Sequence, residues 1–201
     1  MLFIIHFVNT HDFVTLWRKS LSVRGVPTVA VTRCGIGVFD KKWWAARLRL
    51  LKAITVPSLS RFKGQNFTWF IVLDSAIPNQ VYEELHSIVS DAAQNFVRFV
   101  FVESNTQTRD AIMNAAKAMV PPSKRVAVLR IDDDDAIASD FFDNVFDEIA
   151  KEPEQSAVIS MAKGYALNAP EQEVGDLTYA SHPCNTVFYG TLTELDKVMF
   201  Q

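Results

Sequence analysis

The stretch Arg125-Val126-Ala127-Val128-Leu129-Arg130-Ile131-Asp132-Asp133-Asp134-Asp135 decides the fold. Its first seven residues form a short, mostly apolar run that reads as a buried strand, and this strand feeds straight into four aspartates. Adjacent carboxylates at a strand mouth repel one another, which raises some of their pKa values unless a cation or several donors offset the crowding. Mg²⁺ or Mn²⁺ would suit, since these hard cations take one or two carboxylates and leave other positions to water and phosphate oxygens. Residues i and i+2 leaving a strand point the same way, so Asp132 and Asp134 are expected to share a ligand. A solvated acidic turn, with Asp135 capping a neighbour, is the plainer alternative.

Working outward, helix and strand signals alternate. Thr108 to Met119 carries Ile112, Ala116 and Met119 on one face and is broken by Pro121-Pro122. Val97 to Val102 reads as a strand, and Val81, Leu85, Ile88 and Val89 mark a helix beginning after Pro78-Asn79. Phe67 to Asp74 is aromatic and β-branched, a second buried strand ending on an acid. Trp44, Leu48 and Leu51 give a helix from about Lys41 to Ile54, with Pro57 as its stop. Leu2 to Val8 reads as the first strand, ending at Asn9-Thr10. Residues 11–40 read as an irregular insertion, and Gly35-Ile36-Gly37 lacks the third glycine and the setting of a dinucleotide loop.

Downstream of the acids, Ser139 is expected to cap a helix bearing Phe142, Val145, Phe146 and Ile149. Ala157 to Met161 reads as one more strand, and Val174 to Tyr189 as strands or an ordered loop. The alternation indicates an α/β sheet with mostly parallel strands.

Composition narrows the function. At 201 residues, 49% apolar, with seven Gly and eight Pro, the chain suits one compact domain burying about 70% of its unfolded surface. No run approaches the ~20 apolar residues of a membrane span, and the start lacks a basic leader with a cleavage site, so a cytoplasmic protein is expected. Cys34 and Cys184 signal neither a disulfide framework nor a zinc site. Residues 1–66 hold eleven Lys/Arg against two acids and the remainder nine against twenty-one, an asymmetry suited to a phosphate-bearing ligand, an anionic acceptor, or internal pairing. A pI near 5.8 argues against nucleic acid as a partner.

Open parallel sheets bind ligands at the carboxyl ends of their strands, where this chain places Asn9-Thr10, Asp74-Ser75 and Asp132 to Asp135. The segment Leu129 to Phe141, with its run of acids, resembles the Asp-x-Asp-Asp segment of GT-A glycosyltransferases. Trp43/Trp44, Arg47, Thr55-Val56-Pro57-Ser58-Leu59 and Phe67 to Asp74 resemble the helix, Pro-Ser-Leu turn and second strand of the putative rhamnosyltransferase family, over roughly residues 1–150.

That resemblance implies a GT-A, Rossmann-like domain over 1–201, with a nucleotide-sugar-binding half at 1–150 and a partial acceptor-side half at 151–201. It implies that the family continues beyond the end of this chain, so the second half is reduced or the chain is a fragment. It implies transfer of a sugar from a nucleoside-diphosphate donor to a saccharide or other hydroxyl acceptor, in surface polysaccharide synthesis, with Mn²⁺ or Mg²⁺ as cofactor. By the same resemblance Asp74 contacts the nucleoside base, or merely forms its turn. Asp132 lies near the ribose or base and serves the metal, and Asp134 bridges the metal to the diphosphate. Asn9 and Thr10 line the nucleotide pocket, and Arg109 reaches a phosphate or pairs with Asp110. Arg47 is a further basic candidate or packs against an acid inside its helix.

By the same resemblance the base that takes the acceptor proton lies after the acidic motif: the catalytic candidates are Asp135, an acceptor-side acid or one serving only its loop, and His182, equally a structural or exposed histidine, alongside Glu171, Glu173, Asp176 and Glu194, which no spacing separates. Two other functions stay open: a non-catalytic nucleotide-binding module, and a nucleotidyltransferase, against which stands the lack of a Gly-rich basic phosphate loop after the first strand.

Overall fold

The computed structural model describes residues 2–6, 25–63, 65–93, 96–121, 124–161, 163–168, 173–178 and 185–198. Its principal sheet has six strands: β2 (Thr28–Cys34), β3 (Phe67–Asp74), β4 (Val97–Val102), β5 (Arg125–Arg130), β7 (Ala157–Ser160) and β10 (Thr186–Thr191). Their order is β4-β3-β2-β5-β10-β7, with β10 antiparallel to both neighbours and the other pairings parallel. The fold is therefore α/β and Rossmann-like, as the alternating pattern predicts.

Side-chain alternation divides this sheet between two cores. Ala30, Cys34, Trp69, Ile71, Leu73, Ala127 and Leu129 face one side. That side is covered by α1 (Lys41–Leu50), α2 (Val56–Ser60), α3 (Asn79–Ala93) and α5 (Phe141–Ile149). Val29, Val31, Phe70, Val72, Val126 and Val128 face the other, which carries α4 (Thr108–Lys117) and α6 (Leu192–Val198). Burial on both faces explains why β3 is apolar along nearly its whole length. On the α1 side Phe142 packs edge-on to Phe62, with ring centres 5.0 Å apart, and meets Phe67, Phe141 and Phe146 within 6 Å.

Four local expectations are corrected. The supposed insertion contains β2, the strand at the centre of the sheet. Its polar Thr32 is buried because the hydroxyl accepts the Trp69 indole N–H at 2.9 Å. β1 (Leu2–His6) is a strand, but it belongs to a second sheet ordered β6-β1-β8-β9. There it runs parallel to β6 (Ala136–Ile137) and antiparallel to β8 (Lys163–Asn168), which pairs with β9 (Glu173–Thr178).

Pro57 does not stop its helix. A π-helical turn at Leu51–Thr55, closed by the Val56 N–H donating to the Leu51 carbonyl, shifts the ladder ahead of the proline, where a missing N–H and a bulky ring are tolerated. Finally, α5 is preceded by Asp140 rather than Ser139, with no side-chain cap.

From β2 the chain steps outward through β3 to β4, then returns to place β5 on the opposite flank of β2. The switch point thus lies between the carboxyl ends of β2 and β5, where the acidic segment begins, and this is where an open α/β sheet forms its ligand crevice.

Candidate functional site

Strand alternation carries past the end of β5 and parts the four acids. Arg33 follows Val31 by two positions and Arg130 follows Val128 by two, so both arginines emerge on the α4 side of the sheet. Asp132, two further on, emerges there too and lines the same cleft. A turn then intervenes, with the Asp135 N–H donating to the Asp132 carbonyl at 3.2 Å, and the next acids fall on the α1 side. The i, i+2 expectation for Asp132 and Asp134 assumed extended backbone, which ends at this turn.

On the α1 side, Arg47 gathers the acids. Its Nε lies 2.7 Å from Asp133 Oδ1 and its Nη1 2.5 Å from Asp134 Oδ2, while its guanidinium stacks over Trp43 at 5.4 Å from the ring centre. Asp40 fixes the start of this helix by accepting the Trp43 N–H at 2.7 Å. The Cys34 thiol donates to Asp133 from below, and burial pushes that thiol's pKa up. Burial also raises the Asp133 pKa, while Arg47 and Cys34 pull it down. Asp135 is buried too, and burial, reinforced by the Asp132 and Asp134 charges, outweighs the opposing pull of Arg47 and lifts its pKa to about 8.

The α4 side is different in sign. A cleft of about 370 Å³ opens there, lined by Arg33, Arg109, Arg130, Asp132, Thr108 and Ile112 among others. Three arginines and one acid are therefore among its lining residues. Arg109 is partly engaged: its Nε and Nη2 donate to Asp196 Oδ1 of α6 at 3.0 and 2.9 Å. Its partner is thus Asp196 rather than Asp110. Among the described residues no carboxylate pairs with Arg33 or Arg130.

Asp74 ends β3 as expected and is buried. Oδ1 accepts the Ala76 N–H at 2.8 Å and Oδ2 the Gly37 N–H at 2.9 Å, so this carboxylate joins the loop after β2 to its own turn. Asn9, Thr10 and His182 lie outside the described residues, as do Glu171 and Cys184. Glu173 and Asp176 sit on exposed β9, away from the cleft lining, and Glu194 caps α6 by accepting the Thr191 N–H and hydroxyl, each at 2.7 Å.

Sequence reasoning missed Arg33 and Arg130. The first was hidden in the unrecognised β2, but the second was legible: the i, i+2 rule applied backwards from Asp132 places Arg130 beside it.

The residues do not assemble a metal centre as placed. Asp134 is held by Arg47, Asp132 stands across the strand end, and among the described residues no three His, Cys, Asp or Glu side chains form a candidate metal-binding group. What the fold and site define is a Rossmann-like α/β enzyme with an anion-attracting crevice at its switch point. Residues 31–198 match the family described as Putative rhamnosyl transferase, and the chain belongs to that family; it is a glycosyltransferase. The match starts within β2 and runs to the end of α6, so it leaves out β1 and extends well past the residue-150 limit of the resemblance. A comparison with curated proteins finds no match. No helix among the described residues is long and apolar enough to cross a membrane.

Proposed function

We propose that the cleft binds a nucleoside-diphosphate sugar and that the chain transfers the sugar to an acceptor hydroxyl. One observation carries this reading: Arg33, Arg109 and Arg130 converge with Asp132 on a cleft at the switch point of an open α/β sheet. Guanidinium forks match phosphate oxygens in shape and charge, and a single carboxylate beside them can accept from ribose hydroxyls or a base N–H.

In the transfer, the acceptor oxygen forms a bond to the anomeric carbon as the anomeric C–O bond to the diphosphate breaks. The electron pair leaves with the diphosphate oxygen, where the arginines stabilise the developing charge. The acceptor's proton passes to a base, for which Asp135 and His182 remain the chain's candidates. At neutral pH Asp135 is mostly protonated, so it would accept a proton only through its ionised minority.

The test is release of nucleoside diphosphate from UDP-, dTDP- and GDP-sugars, with candidate saccharide acceptors present. Arg130→Met should weaken donor binding by roughly 10- to 100-fold, the worth of a charge-assisted hydrogen bond. Unchanged donor affinity in Arg130→Met would remove the cleft from this role.

A further inference from the structure

We propose that this glycosyltransferase neutralises its acidic segment from within, through Arg47, and balances the donor's diphosphate with Arg33 and Arg130 instead of a divalent cation. The diphosphate half of this inference rests on the nucleotide-sugar reading above; the Arg47 half stands on the chain alone.

A divalent ion at such a segment needs carboxylates that are close, ionised and free to turn toward it. Arg47 satisfies that demand with its own charge. One guanidinium spans Asp133 and Asp134 at 2.7 and 2.5 Å, and its stack on Trp43 fixes its plane. Both ends of the fork are sheltered, with Arg47 20%, Asp133 3% and Asp134 18% exposed, so the pair is only weakly screened by solvent. A metal ion entering here would have to displace a resident cation and leave the guanidinium in a confined space without its counter-charges.

Across the strand end the charge balance is reversed. Arg33 and Arg130 leave adjacent parallel strands on the same face, with Val31 of β2 in register with Arg130 of β5. They line the cleft in which, among the described residues, Asp132 is the only acid. A surface with more guanidinium than carboxylate attracts an anion without the help of a bridging metal.

The experiment has two arms on the intact protein. In the first, Mn²⁺ is titrated and the signal of the free ion is followed by electron paramagnetic resonance. Wild type should leave the signal undiminished into the millimolar range, whereas Arg47→Met, with two released carboxylates, should bind the ion. Tight Mn²⁺ binding by wild type overturns the Arg47 assignment, whether or not the variant folds.

In the second, thermal shifts with UDP, dTDP and GDP are compared in EDTA and in Mn²⁺. A shift for one nucleotide that persists in EDTA and is lost in Arg33→Met/Arg130→Met supports the diphosphate assignment. A shift that requires Mn²⁺ overturns it while upholding the nucleotide site. No shift in either condition overturns the nucleotide-sugar reading together with this half, and the manganese arm still decides the other.

Discussion

Gly35 sits so close to Trp44 that a Cβ built on it would lie 2.2 Å from the Cζ2 atom of the indole. The glycine ends β2 with a φ of +60°, and the ring is buried beneath it with its Nε1 donating to the Val38 carbonyl at 2.8 Å. Backbone handedness and ring packing therefore both demand glycine at the mouth of the central strand.

Gly37 provides the control. It also has a positive φ, +76°, but nothing lies within 4 Å of its missing Cβ. Gly37→Ala should cost only the left-handed penalty, about 1–2 kcal/mol. Gly35→Ala should cost that plus overpacking against a pinned ring, a further ~1–3 kcal/mol. Urea unfolding of the two variants measures the difference, and equal midpoints would contradict the packing.

Phe142 joins α5 to the core beneath β3. Fully buried among four other phenylalanines, it should cost roughly 3–5 kcal/mol when cut to alanine, while Phe39→Ala on the exposed loop should cost little. Chemical denaturation of both variants checks the contrast.

Asp135 makes stability depend on pH with a defined sign. Its folded pKa, about 8, is above the ordinary aspartate value of 3.8, so the folded state holds a proton that the unfolded chain releases. Stability should therefore fall as pH rises from about 4 to about 8, and the effect should level off outside that window. Asp135→Asn should flatten this slope. Denaturation midpoints of wild type and variant at pH 5 and pH 8 provide the measurement; an unchanged pH difference would show that Asp135 titrates normally.

Asp196 restrains one of the cleft's cations. The Arg109–Asp196 pair is exposed, so Asp196→Ala should change stability by less than about 1 kcal/mol. Releasing Arg109 toward the cleft should tighten nucleoside-diphosphate binding, with the gain shrinking as salt is raised. Calorimetric titration at two ionic strengths reads both effects.

The sequence revealed elements whose burial is continuous and hid those whose burial is negotiated by distant partners. Phe67 to Asp74 announced itself because both faces of β3 are covered. Thr28 to Cys34 did not, because its Thr32 is made acceptable only by the Trp69 indole and its flanks are glycine and proline. The strand character of Leu2–His6 was local and legible, but its membership of the second sheet depends on β6 and β8, far along the chain.

At the site, the acids were plain and their division was not. The extended-strand rule holds for Arg130 and Asp132 and fails one residue later, when the chain turns. The partners of Arg47 and Arg109 each lie more than eighty positions away, beyond the reach of any local pattern.

The antiparallel β10 has a consequence for synthesis. β3, β4 and β5 can each dock beside a strand already made, but among the described residues β7 has β10 as its sole neighbour in the principal sheet. At translation rates of 5–20 residues per second, roughly 2–6 s pass between the emergence of the two strands. During that interval the edge of β5 that β10 will cover stays unpaired, and β7 has no partner in the principal sheet. Until β10 follows, the sheet keeps a gap between β5 and β7, and that later strand closes it.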